Sequence, residues 1–196
     1  MNRRELPWAT EVRPDTGLVS SRLGLWLFMA SETMLLAGLV SALFFLRLAS
    51  DDWPREALEH GLPLVNSIVM ASSALMLFLA RRSLGVGSRE FMLQALLGVA
   101  LGFLVLFIRS AEWSILLGMG RTPAVHNLFG IYFVLTGVHA VLLAGNLAVL
   151  AWILSAGRTL AATHPARFRE RAQGAVTHWH FLTLVWFVIH GLFFQS

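Results

Sequence analysis

Long apolar runs alternate along this chain with short polar segments that carry most of the arginines. Five runs stand out, over 23–46, 64–80, 91–115, 127–154 and 178–194. Each reaches the minimum of about 17 residues for a helix that crosses a bilayer. Pro63 suits the first turn of the second helix, where its missing N–H is not needed. Arg81-Arg82 ends that run, and a turn with Gly85, Gly87 and Arg89 follows. The third run carries Gly98 and Gly102, a small-xxx-small pair that lets a neighbouring helix approach. A polar turn with Gly118, Gly120, Arg121 and Pro123 precedes the fourth run, and a loop with Arg158, Arg167, Arg169 and Arg171 precedes the fifth. The pattern predicts an all-α membrane protein, a five-transmembrane-helix bundle over 23–196, preceded by a polar arm over 1–22.

Glu32 is the one ionisable residue of the first run. A charge at the bilayer centre costs on the order of 3 kcal/mol or more. Its carboxyl is therefore expected to face protein and to stay protonated or paired. In the fourth run, Tyr132, Thr136, His139 and Asn146 recur at helical spacing as one polar stripe, which should point inward. The simplest bundle joins Glu32 to His139 or its stripe. In the fifth run His180, Thr183 and His190 loosely share a face. Arg109 and Glu112, three apart near the end of the third run, read as a local pair close to the headgroups. Trp26, Trp113, Trp152 and Trp179 read as an interfacial belt.

Composition agrees with the pattern. The 196 residues are 57% hydrophobic, with a mean hydropathy of +0.69, well above a water-soluble domain. Cysteine is absent, which removes disulfides and thiolate metal sites from the possibilities. The net charge of +4 comes with fifteen basic residues, all of them arginine. Eleven of these fall in the arm and in the second and fourth loops. By the positive-inside rule the N-terminus is expected to be cytoplasmic and the C-terminus outside. The basic balance is a topology signal, so no nucleic-acid partner is expected. The first run is too long for a cleavable signal and lacks a small-residue cleavage site, so none is expected.

Little here suggests an autonomous active centre. The imidazoles of His178 and His180 would project about 200° apart on a helix and could not chelate one ion. The Gly85-x-Gly87 and Gly118-x-Gly120 pairs lack the context of a nucleotide fingerprint. A membrane cytochrome would need histidines on facing helices, for which His139 with His180 or His190 is the available pairing. A small transporter would be expected to show internal repeats, and none is visible. No catalytic, metal or cofactor residues are assigned.

Five stretches, in order, resemble subunit III of haem–copper terminal oxidases. They are LGLWLFMASETMLLAG at 23–38, LPLVNSIVMASSALM at 62–76, Glu112-Trp113, FVLTGVHA at 133–140 and HWHFLTLVWF at 178–187. The five-helix count is similar to short bacterial members of that family. The resemblance implies a subunit without haem or copper that packs against the catalytic subunit I, holds phospholipid in a cleft between helix groups and supports proton uptake. It implies a place in the bacterial inner membrane, with haem and copper in partner chains. Glu32, Glu112, His139 and His180 match the family's polar positions. Asn66, Ser73, Arg109, Tyr132, Thr136, Asn146 and Thr183 are the supporting polar residues. The sequence departs from the family pattern at Thr183 (usually Asp), His178 (Tyr), Leu142 (a second His) and Arg109 (Gln). A subunit-III-like accessory protein of nitric oxide reductases is the alternative within the same resemblance.

Overall fold

The computed structural model describes Val12, Pro14, Gly17 and residues 19–58, 61–83 and 89–194. Most of the expected arm, and the Gly85–Gly87 turn, lie outside the described residues. Five helices form the described chain: α1 (Ser20–Leu48), α2 (Gly61–Arg82), α3 (Arg89–Gly118), α4 (Asn127–Thr163) and α5 (Pro165–Phe194). A single 3-10 turn, Arg55–Ala57, interrupts the connection between α1 and α2. All five helices are long and apolar enough to cross a membrane.

Local chemistry explains the helix ends. Gly120 takes a left-handed conformation (φ 74°) just past α3. It lets the Arg121 N–H reach Leu116 O at 2.9 Å and the Gly120 N–H reach Leu117 O at 3.0 Å, which satisfies the last carbonyls. His126 caps α4, its Nδ1 accepting from the Leu128 N–H at 3.0 Å. Pro165 opens α5, where a missing N–H costs nothing.

The region expected as the fourth loop is helical instead. α4 continues to Thr163 and α5 begins at Pro165, so His164 alone separates them. Arg158, Arg167, Arg169 and Arg171 therefore ride on helices. Hydropathy marks where lipid contact ends, whereas the segment's alanines, leucines and arginines keep the backbone helical beyond it. Gly157 accepts the ring of Phe168 against its backbone, which closes the hairpin.

α2 pairs closely with α3, and α4 with α5. Both glycines of the small-xxx-small pair act at contacts, but with different neighbours. A Cβ on Gly98 would stand 2.7 Å from Leu77 Cγ of α2, and one on Gly102 would stand 2.6 Å from Leu147 Cδ2 and 2.8 Å from Trp179 Cη2. The expected belt position of Trp179 is thus corrected: its side chain is fully buried. α5 starts well before the apolar run does, so Trp179 lies inside the bundle and fills the space opposite Gly102. Trp26 and Trp152 are exposed as expected, and Trp113 is half-buried. α1 lies against α4 and α5. Outward positions carry large apolar side chains such as Met34, Phe45, Phe107 and Val141, each at least 70% exposed, a surface suited to lipid and costly in water.

Candidate functional site

Two polar clusters lie inside the bundle, and neither is the one the spacing favoured. Glu32 is 4% exposed on α1, and its Oε2 lies 2.8 Å from Nε2 of His178 on α5. His139 does not meet it. The Nε2 of His139 is 2.9 Å from the Leu182 carbonyl, and its ring stacks on Trp186 at 5.7 Å between centroids. The reason is the early start of α5. His178, read as the first residue of a span, is thirteen residues into a helix and level with the middle of α1. The rings of Phe28 and Phe181 border its imidazole. Glu32 Oε1 has no hydrogen-bond partner among the described residues.

The second cluster centres on Arg109 and Glu112, whose side chains are 4% and 6% exposed and joined at 2.7 Å. The expected pair is formed, and it is buried among helices as well as local to α3. Four helices converge on the pair. Tyr132 of α4 donates its hydroxyl to Glu112 Oε1 and accepts from Arg109 Nη1 at 3.1 Å. With its amide assigned in the orientation that satisfies both ends, Asn66 of α2 accepts from Arg109 Nη2 at 3.2 Å and donates to Val105 O at 3.1 Å. Trp186 of α5 presents its ring 4.1 Å from the guanidinium carbon. Its own N–H donates to Ser67 Oγ at 2.9 Å, and Ser67 stands 3.4 Å from His190 Nδ1. A lone buried arginine would be prohibitive, but this one meets a carboxylate, two neutral oxygens and a π face. A small cavity lined by Leu58, Leu62, Ile115 and Leu116 opens beside Glu112. The connection that contributes Leu58 is pinned by Arg121, whose Nη1 donates to the Ala57 carbonyl.

The other expected residues divide between these clusters and plain helix packing. The α4 stripe is buried throughout, as its spacing requires. Thr136 accepts from Trp113 Nε1 at 3.3 Å, and Asn146 donates to Ala175 O at 3.1 Å. Ser73 donates to Gly98 O at 2.7 Å across the α2–α3 contact. Among the described residues Thr183 bonds its own helix, donating to Trp179 O at 2.9 Å. His180 turns away from His178, as the angular argument requires. Its Nδ1 lies 2.6 Å from Val176 O, and its ring meets Phe78 edge-on. Sequence reasoning missed His178 as the partner of Glu32, and Ser67, His190 and Trp186 as extensions of the Arg109 cluster. The first was missed because the early start of α5, at Pro165, is not marked by the apolar run. No spacing rule would have found the second group, which lies across helices.

The family model for cytochrome c oxidase subunit III matches residues 15–195. The chain is 27% identical to cytochrome c oxidase subunit 3 of Synechocystis sp. over 175 residues, covering 85% of this chain and 71% of that one. It is 29% identical to the sea urchin (Strongylocentrotus purpuratus) subunit 3, covering 88% of this chain and 68% of that one. With the Thermostichus vulcanus subunit 3 the identity is 27%, covering 88% and 85%. The match spans all five apolar helices, and the chain belongs to the cytochrome c oxidase subunit III family.

Proposed function

We propose that this chain is a non-catalytic membrane subunit of a respiratory haem–copper oxidase, a complex that transfers electrons to oxygen and moves protons. The observation that carries the reading is the family match over 15–195. Its direct partner would be the catalytic subunit I, which would hold the haem and copper. The chain's own residues do mechanical work in this reading. The Arg109 cluster locks α2, α3, α4 and α5 together, and the Glu32–His178 pair fastens α1 to that block. The result is a stiff apolar body that can brace a partner within the membrane and hold phospholipid against it. The arginine-rich ends of α1, α2, α4 and α5 face the cytoplasm, which sets the N-terminus inside and the C-terminus outside a bacterial inner membrane.

Affinity purification of the tagged chain in mild detergent tests this. Co-elution of a large membrane chain with a reduced-minus-oxidised haem spectrum and oxygen consumption is expected. Recovery of the chain alone, or with a partner that reduces nitric oxide and not oxygen, would overturn the oxidase assignment.

A further inference from the structure

We infer that the α1–α2 connection is a strap that keeps water from the Arg109–Glu112 pair, with Leu58 as its plug and Arg121 as the clasp that holds it shut. The inference concerns this chain's own packing and does not depend on its place in an oxidase.

The position of the pair calls for such a cover. Glu112 lies six residues before the end of α3 at Gly118. At about 1.5 Å per residue that is roughly 9 Å, less than two turns from the connections at that end of the bundle. Apolar side chains nearer the end are open, with Leu117 48% and Met119 51% exposed. The Glu112 carboxylate is buried all the same. What stands over it is apolar: Leu58, Leu62, Ile115 and Leu116 line the small cavity beside it. Leu58 comes from the connection and not from a transmembrane helix, yet it is 1% exposed. A connecting segment normally runs over the surface, so a fully buried leucine there is an inserted side chain.

Two contacts from the α3–α4 turn hold the insertion. Arg121 Nη1 donates to the carbonyl of Ala57, the residue before Leu58. The Arg121 backbone is itself fixed, since its N–H donates to the carbonyl of Leu116, beside the cavity, at 2.9 Å. Nearer α1, Trp53 packs edge-on against His126 with 5.8 Å between ring centroids. His126 is in turn held as the cap of α4. Between these points the strap makes its 3-10 turn, with the Ala57 N–H bonded to Pro54 O at 3.0 Å. A side-chain hydrogen bond and a ring contact are a light fastening, which makes the strap a local opening unit and not part of the bundle core. While it is shut, the ion pair acts at low dielectric. With water admitted, that attraction weakens and the junction of α2, α3, α4 and α5 loosens.

The chain has no cysteine, so a single introduced thiol can report on the cavity. The experiment uses the purified assembly in nanodiscs, open to reagent from both faces. One preparation carries Leu116→Cys in the cavity wall, and another carries Leu143→Cys, equally buried on α4. A charged methanethiosulfonate is added and the mass of this chain is followed with time. The Leu116→Cys thiol should label slowly. Adding Arg121→Gln should speed it about tenfold, the factor that one hydrogen bond gives to a local opening equilibrium. Leu58→Ala should speed it at least as much, because the plug itself is gone. Arg121→Lys, which keeps a donor, should preserve most of the protection. The Leu143→Cys thiol should stay slow in every background. Fast labelling of Leu116→Cys with the strap intact, or no acceleration by Arg121→Gln and Leu58→Ala, overturns the strap. Equal acceleration at Leu143→Cys means that the variants loosen the whole bundle, and overturns it as well.

Discussion

Glu32 illustrates how a single costly side chain organises its neighbourhood. The carboxyl is tolerated because an imidazole 2.8 Å away shares its charge or its proton. A double-mutant cycle should therefore give a coupling above about 1 kcal/mol between Glu32→Ala and His178→Ala. The same cycle between Glu32→Ala and His139→Ala should be additive within about 0.5 kcal/mol. Thermal or denaturant unfolding in detergent reads both, and coupling to His139 in place of His178 would contradict the contact. Arg109 makes the same point with a full ion pair. Arg109→Gln should destabilise the bundle by about 3–5 kcal/mol, because Glu112 is left buried without a counterion. Adding Glu112→Gln should restore much of that loss, since the orphaned charge is gone. If the double variant melts no higher than the single one, the cost lies in packing against Trp186 and not in the charge. At this scale the sequence revealed which residues were expensive. Spacing paired Arg109 with Glu112 on α3, but it did not reveal His178 for Glu32 or Tyr132, Asn66 and Trp186 for Arg109, because helical spacing relates residues on one helix and these lie on others.

Helices in this protein are positioned by close approach as much as by polar contacts. In lipid no hydrophobic force draws two apolar helices together, so shape and small residues decide. Gly98→Ala and Gly102→Ala should each cost about 1–3 kcal/mol, since the added methyl meets Leu77 in one case and Leu147 with Trp179 in the other. Gly38→Ala, where a Cβ would meet nothing within 4 Å, should stay within about 0.5 kcal/mol of the parent. Melting temperatures of the three variants in one detergent check the contrast, and equal losses would mean that helix propensity and not packing sets the result. The small-xxx-small spacing was legible beforehand. That its two members serve different neighbours was not, because the spacing carries no information about the identity of the helix opposite. The length of α4 and α5 was also hidden. Apolar runs report the part of a helix that meets lipid, and a helix of alanine, leucine and arginine continues past it without changing that signal.

On the scale of the whole molecule, an odd number of crossings puts the two ends on opposite sides. A C-terminal alkaline phosphatase fusion should be active and a C-terminal green fluorescent protein fusion dark if the arginine-rich ends are cytoplasmic. The reverse pair of results would invert the assignment. The apolar surface outside the two clusters then faces lipid or a partner chain, and the buried polar groups are spent on holding the bundle in one arrangement.

The sequence by itself determined the fold class, the number of crossings, the family and the inward direction of the α4 stripe. These follow from local quantities: run length, periodicity and the order of motifs. Only the tertiary structure decided that Glu32 meets His178, that Arg109 is buried among four helices and that Trp179 is core and not belt. Those outcomes depend on the relative depth and rotation of helices far apart in the chain, which packing sets and spacing within one helix cannot encode.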